Sequence, residues 1–329
     1  MRKYLTILLL FFPVIAANPQ EFRSVFYNTE NLFDTVDDTL KDDDEFLPDG
    51  ARRWTHQRYW SKLDAISKVI TAAGGWETPV LVGLCEIENL KVAYDLISRP
   101  LLINSSYRAI LRESPDIRGI DVCLLYRSDM VRIETVKSWI PVPDSNKTFT
   151  SRNVLYVKSV IYGDTLHVFV CHWPSRRGGI MASENVRKDI SVLLKSKIDS
   201  LFASGGTNQS VVIMGDFNSL PDDPDVRFLT ANGMMVNLSE NLFNEGKGSY
   251  RYQGRWEMID QVIVSGAMAS DSAAFKTTPG GFHVLYDSFL LEDDPGYPGQ
   301  RPKSTFRGFA WSEGFSDHLP VVINIGHRK

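Results

Sequence analysis

The stretch VVIMGDFNS, Val211–Ser219, sets four apolar residues and a glycine ahead of Asp216, Phe217 and Asn218. A short run of β-branched and long apolar residues bounded by Gly or Asp reads as a core strand, so two polar groups arrive just as this strand ends. The same order recurs elsewhere: Asn28 follows Val25–Tyr27, Glu86 follows Leu84–Cys85, and His172 follows Val168–Cys171. Taken singly these are ordinary, since Asn and Asp favour turns and caps. Four such groups at strand ends fit a site assembled along one sheet edge, the usual place in α/β folds.

Working outward, further apolar runs at Arg23–Tyr27, Val80–Cys85, Val122–Tyr126, Val154–Ile161, Leu166–Cys171, Gln261–Val264 and Val321–Ile325 predict strands. Trp60–Ala72 and Val186–Phe202 carry helical spacing instead, with Leu63, Ile66, Val69 and Ile70 on one face and Ile190, Leu193, Leu194, Ile198 and Leu201 on the other. The connections Asp34–Arg53, Asn237–Trp256 and Glu292–Gly314 are long, which marks functional loops. The acidic run Asp42–Glu45 lacks the glycine and terminal glutamate of a calcium-binding loop and reads as a solvated turn.

The 329 residues are 43% hydrophobic and 23% charged, a composition that excludes disordered and fibrous classes. Net charge is −4, too mild to draw in nucleic acid by a global field. Arg2 and Lys3, the apolar run Leu5–Ile15 and Ala16–Ala17 predict a signal peptide over 1–17, hence a secreted or periplasmic protein with one domain over 18–329. The mature chain is expected to be monomeric and without stable membrane insertion. Cys85, Cys123 and Cys171 each sit inside an apolar run and are expected to be buried free thiols.

Carboxylates and amides suit Mg²⁺ or Mn²⁺, with Ca²⁺ a further candidate, and histidines suit proton transfer. In this setting the chain resembles the endonuclease/exonuclease/phosphatase superfamily, through YNTENLF (Tyr27–Phe33), GLCEIEN (Gly83–Asn89), RGIDVCLLYR (Arg118–Arg127), SRN around Arg152, CHWPSRRGG (Cys171–Gly179), MGDFNS (Met214–Ser219), MIDQVIVS (Met258–Ser265) and FSDHLPVVI (Phe315–Ile323). Either GDFN or SDHLP alone is weak; the ordered set spans nearly the whole mature chain. The resemblance implies an α/β fold, a four-layer sandwich of two facing mixed β-sheets flanked by helices, as in deoxyribonuclease I.

It also implies roles. Glu86 is the principal metal carboxylate, with Asn28 beside it and Asp317 a further metal or metal-water contact. His318 pairs with Asp260, and Asp121 with His172, as two aspartate–histidine dyads flanking one phosphate. Asp216 orients or deprotonates the attacking water, and Asn218 hydrogen-bonds a phosphate oxygen. Arg152 matches a phosphate-binding arginine of nuclease relatives, and Arg176, followed by Arg177, is expected at the substrate. The implied reaction is in-line attack of water on phosphorus. Basic and aromatic residues near Arg52–Trp60, Tyr250–Trp256 and Arg301–Trp311 point first to a nuclease or phosphodiesterase acting on nucleic acid. The alternatives are a phosphatase or phosphodiesterase for a lipid or sugar phosphate, favoured if the aromatic loops form a small closed pocket, and a non-catalytic binding protein on the same fold.

Overall fold

The structure, a computed structural model, describes residues 20–141, 151–176 and 180–328. The expected leader 1–17 and Arg177 lie outside the described residues. The first half of the chain contributes β1 (Gln20–Leu32), α1 (His56–Gly74), β2 (Leu81–Ile87), α2 (Leu90–Ile97), β3 (Tyr107–Leu111), β4 (Asp121–Arg127), β5 (Val131–Trp139), β6 (Val154–Ile161) and β7 (Asp164–His172). There follow α3 (Ile180–Gly205), β8 (Ser210–Asp216), α4 (Pro224–Thr230), β9 (Met235–Asn237), α5 (Glu240–Asn244), β10 (Tyr250–Tyr252), β11 (Arg255–Glu257), β12 (Asp260–Ser265), α6 (Gly266–Ala269) and β13 (Phe275–Val284). Short ribbons β14 (Leu291–Asp293), β15 (Gln300–Pro302), β16 (Phe306–Arg307) and β17 (Ala310–Trp311) precede the last strand, β18 (Val321–His327).

Two six-stranded mixed sheets result, ordered β13-β18-β1-β2-β4-β3 and β5-β6-β7-β8-β12-β9. Each holds one parallel pair, β1–β2 and β7–β8 respectively, with antiparallel strands on either side. Those central strands are buried on both faces, which is why they read as continuous apolar runs without alternation. The sheets face each other: at Gly83 of β2 an added Cβ would lie 2.7 Å from Sδ of Met214 in β8. Helix α1 begins at Thr55, whose hydroxyl accepts the Arg58 N–H, and ends at Gly75 with φ +72°. Its Leu63, Ile66 and Ile70 join the core of the first sheet, while Ile190, Leu194 and Ile198 of α3 pack on Phe169, Val211 and Ile213 of the second. The four-layer sandwich expected from the sequence is therefore observed. The three cysteines are buried and unbridged. Among the described residues no helix is long and apolar enough to cross a membrane.

One connection matters for the site. The first and last strands are neighbours, β1 running antiparallel to β18 from Gln20 opposite His327 to Phe26 opposite Val321. The segment leading into β18 therefore meets the end of β1.

Candidate active site

Strand register places the polar groups in one row. His172 lies opposite Asp216 across the parallel β7–β8 pair, Asp260 opposite Asp216 across β8–β12, and Asn28 opposite Cys85 across β1–β2. A ladder irregularity between Cys85 and Ile87 sets Glu86 apart from its strand, with φ at 61°. Glu30, Asn31 and Asn218 share that left-handed region, at 52°, 54° and 47°. Such conformations cost L-residues roughly 1–2 kcal/mol each, and strain of this kind gathers at functional sites. Local bonds hold it: the Asn31 N–H donates to Glu86 Oε2 (2.8 Å), the Glu30 N–H to Asn28 Oδ1 (2.9 Å) and the Asn218 N–H to Asp216 Oδ1 (2.9 Å).

Asn31, Glu86, His172, Asp216 and Asn218 wall a cleft of about 430 Å³ with Arg118, Arg176, Tyr250, Tyr252, Glu257, Asp317 and His318, within the usual range of a small-ligand site. Asn28 Nδ2 donates to Asp216 Oδ2 at 3.0 Å, tying the two sheets together inside it. His318 Nδ1 lies 2.7 Å from Asp260 Oδ2, which also accepts the Ser249 hydroxyl. Behind the ring, the His318 N–H donates to Ser316 Oγ (3.1 Å), and that hydroxyl donates to the Asn28 carbonyl (2.7 Å). The Tyr250 ring lies against His318, centroids 4.8 Å apart.

The two histidines carry opposite electrostatics. Burial alone would lower His318, but the surrounding Asp260, Asp317 and Asp216 outweigh it and hold the imidazole well above its usual range. His172 is pushed well below that range, first by burial and then by Arg152, Arg118 and His318. Its Nε2 stands 3.6 Å from Asp216 Oδ2 and 3.8 Å from Glu86 Oε1. Asp216 is itself pushed up to about 7, by burial foremost and then by Asp260. Titratable groups driven apart in this way are the raw material of acid–base assignment.

The donor set fits a hard divalent cation. Ligand atoms of Asp216, Asp260 and His318 lie within 4.8 Å of one another, and Glu86 and Asp317 face the same cleft. Mutual repulsion of buried carboxylates is what a bound cation relieves.

Three expectations meet a different arrangement. The dyad of Asp121 with His172 is not formed: Asp121 lies level with Ile87 on β4, its Oδ1 accepts the Ser114 N–H at 2.9 Å, and it lines a separate cleft with Asp34 and Glu88. His172 Nδ1 is buried without a hydrogen-bond partner. Arg152 is not in the cleft either. Its guanidinium is buried between Asp116 Oδ2 (3.0 Å) and the Trp173 carbonyl (2.9 Å), because Asp116 claims the charge first. The arginine that enters the cleft from that side is Arg118, 44% exposed and steadied by the same Asp116, whose Oδ1 accepts its backbone N–H. Arg176 does line the cleft, donating to the Asn218 carbonyl (3.0 Å) and to Asp223 (2.5 Å). The Asn218 amide is turned to the Trp173 carbonyl at 2.9 Å.

Sequence reasoning passed over Arg118, although it opens the motif RGID. It also passed over Lys62, which a helical pattern assigns to a solvated face. Lys62 is fully buried and donates to Thr305 Oγ1 and to the Phe315 carbonyl (2.5 Å). The Thr305 N–H in turn donates to Glu30 Oε2 at 2.6 Å. This cluster moors the loop that delivers Asp317. Burial pushes Lys62 down to about 8, and burial with the Asp317 charge pushes Glu30 up to about 7.

The chain aligns in three dimensions with a mannosyl-6-phosphatase of Bacteroides thetaiotaomicron at 16% identity and TM-score 0.60, over 92% of this chain and 99% of that one. It aligns with the human nocturnin catalytic domain, solved with bound sulfate, at 14% identity and TM-score 0.57, over 94% and 95%. TDP2 of D. rerio, solved with a single-strand DNA product, gives 14% and 0.57 over 93% and 98%. At these identities the likeness is one of fold. No curated protein matches the sequence. A family model does, over residues 24–327, and with the two-sheet sandwich and its shared edge it shows that the chain belongs to the Endonuclease/Exonuclease/phosphatase family.

Proposed function

We propose that this protein hydrolyses the phosphate ester of a small polar molecule by in-line attack of water on phosphorus. The observation that carries the reading is the convergence of two histidines on the carboxylates of one cleft, with His318 Nδ1 2.7 Å from Asp260 Oδ2 and His172 Nε2 3.6 Å from Asp216 Oδ2 and 3.8 Å from Glu86 Oε1. Glu86, with Asn28 and Asp317 beside it, would hold Mg²⁺ or Mn²⁺, which when bound neutralises charge on a phosphate oxygen. Asp216, pushed up to about 7, accepts the proton of the attacking water as the new O–P bond forms and the bond to the alcohol oxygen breaks, and the alcohol oxygen leaves with a proton taken from solvent. Protonated His318, oriented by Asp260, presents Nε2 to the developing negative charge. Arg118 supplies a guanidinium to the phosphate from the rim.

Substrate size is argued from the loops. The basic residues that could track a polyanion have local partners: Arg52 pairs with Glu45, Arg58 donates to the Arg52 and Arg53 carbonyls, Arg251 pairs with Asp294, and Arg301 and Arg307 both pair with Glu292. The cleft instead offers Tyr250, Tyr252 and the Glu257 carboxylate, a wall suited to an uncharged hydroxyl-bearing leaving group. A sugar phosphate fits this description, and the mannosyl-6-phosphatase neighbour adds support by analogy. The nuclease reading draws on Tyr252, 53% exposed at the cleft and able to stack on a base. Export by a leader over 1–17 and a monomeric working state belong to the same proposal.

The test compares kcat/KM for sugar phosphates, p-nitrophenyl phosphate and bis-p-nitrophenyl phosphate with that for single-stranded oligonucleotides, in Mg²⁺ and in ¹⁸O-labelled water. The proposal expects label in inorganic phosphate and preference for the small esters. Label in the alcohol would sink phosphorus attack; preferred cleavage of oligonucleotide, with binding that falls steeply with salt, would establish the nuclease reading.

A further inference from the structure

The acidic run Asp42–Glu45, between β1 and α1, reads in the sequence as a solvated turn, yet one of its carboxylates is inside the protein. Asp43 is 2% exposed. Its Oδ2 accepts the Asp38 N–H at 3.1 Å, whereas its Oδ1 is buried with no hydrogen-bond partner. Ligand oxygens of Asp37, Asp43 and Asp44 lie within 4.8 Å of one another. Among the described residues, none of the three forms an ion pair. The neighbouring Lys41 is committed elsewhere, donating to the carbonyls of Ser114 and Asp116 at 3.0 Å each. A buried carboxylate oxygen without donor or counter-charge is costly, and Asp37 and Asp44 each bring a further carboxylate oxygen within 4.8 Å of the Asp43 carboxylate.

We propose that Asp37, Asp43 and Asp44 bind a Ca²⁺ ion, at a site separate from the cleft. Three carboxylates on an irregular loop, with water to complete the shell, match the oxygen-only, flexible coordination of Ca²⁺ better than the strict octahedron of Mg²⁺. The site is linked to the cleft through the backbone. The Asp42 N–H donates to the Ile117 carbonyl at 2.7 Å, and Lys41 clamps the same turn, so the loop holds the segment 114–118 from which Arg118 enters the cleft. Calcium in the loop stiffens the support of that arginine. Binding here does not depend on the hydrolytic reading.

The experiment uses the full chain in a Glu86→Gln background, where cation binding in the cleft is weakened. Ca²⁺ is titrated calorimetrically into this protein and into the same protein carrying Asp37→Asn and Asp44→Asn. Both added positions are exposed, so their replacement leaves the fold intact; Asp43→Asn serves as a third variant, checked by circular dichroism. The expected result is loss of one Ca²⁺ equivalent in the Asp37→Asn/Asp44→Asn protein. With it goes a Ca²⁺-induced rise in unfolding midpoint of roughly 3–8 °C. Hydrogen exchange should show Ca²⁺ protecting both 37–44 and 112–119 in the parent only. Equal stoichiometry and equal thermal shift with and without the two substitutions would overturn the site.

Discussion

Glu86 is held by a left-handed backbone and by the Asn31 N–H on Oε2, so its second oxygen is committed in direction before any ligand arrives. Replacing it with Gln keeps the shape and removes the charge. Glu86→Gln should cut kcat about 10²- to 10³-fold under saturating Mg²⁺, with an unchanged circular dichroism spectrum; a loss under tenfold would remove Glu86 from the centre. Arg118→Ala should lower kcat/KM about 10- to 100-fold, as expected for one charge-assisted hydrogen bond, while Arg152→Ala should show up in thermal stability because it leaves the buried Asp116 Oδ2 without its donor. Asp260→Asn deprives His318 of its main attractive charge and should cost about 10²- to 10⁴-fold in kcat, with the His318 resonance by NMR titrating at lower pH than in the parent. Residue identity in the sequence picked out Asn28, Glu86, Asp216, Asp260 and His318, which the structure brings to one edge of the two sheets because each lies at or near the end of an apolar strand core. It failed for Arg152 and Asp121, whose charges are intercepted by Asp116 and the Ser114 N–H: a motif carries a residue type, and its hydrogen-bond partner is a tertiary fact.

At the scale of elements, the central strands were legible since they are buried on both faces, and α1 and α3 since their periodicity is long. The strands β3, β5 and β13 were not. β5 has only Val131 buried and otherwise mixes half-buried and exposed positions among charged residues, and β13 contains Pro279 and two glycines with a register break between Thr277 and Phe282. Short α2 was missed for lack of length, although Asn89 caps it by accepting the Val92 N–H at 2.9 Å. The parallel pair β7–β8 is where element geometry meets chemistry. Gly215 precedes Asp216 on β8 and lies opposite Cys171, the residue before His172, and an added Cβ would fall 2.4 Å from the Cys171 carbonyl oxygen and 2.5 Å from its Sγ. Gly215→Ala should therefore destabilise the fold by about 1–3 kcal/mol and lower kcat in the surviving folded fraction, measured by denaturant titration alongside active-site activity. A variant as stable and as active as the parent would show that the two strands can part without consequence.

For the molecule as a whole, the buried carboxylates make stability depend on pH. Asp216 and Glu30 rise from 3.8 and 4.5 to about 7, burial being the main cause in both. The native state thus keeps protons between about pH 4 and 7 that the unfolded chain has released. Their contribution to stability is complete below about pH 4 and is lost as pH climbs through 7. His318, also raised, loses its share in a window at higher pH. His172 has the opposite sign: its depressed folded pKa withholds stability below the unfolded value and contributes fully above it. Between pH 6 and 8 the Asp216 and Glu30 losses take effect, joined by Glu88, which burial raises to about 8, whereas the gain from His172 is complete near its unfolded value, so protein in EDTA should melt at a lower temperature at pH 8 than at pH 6. Added Mg²⁺ should raise the midpoint more at pH 8, and Asp216→Asn should shrink the difference. A midpoint indifferent to pH between 6 and 8 in EDTA would contradict the electrostatic picture.

The pairing of the first strand with the last adds a matter of timing. Asn28 and Glu86 leave the ribosome long before Asp317 and His318, which are seated only when β18 zips against β1. A nascent chain that has not yet delivered β18 carries Asn28, Glu86 and Asp216 but no complete centre, so the site assembles only once the first and last strands of this sheet have met.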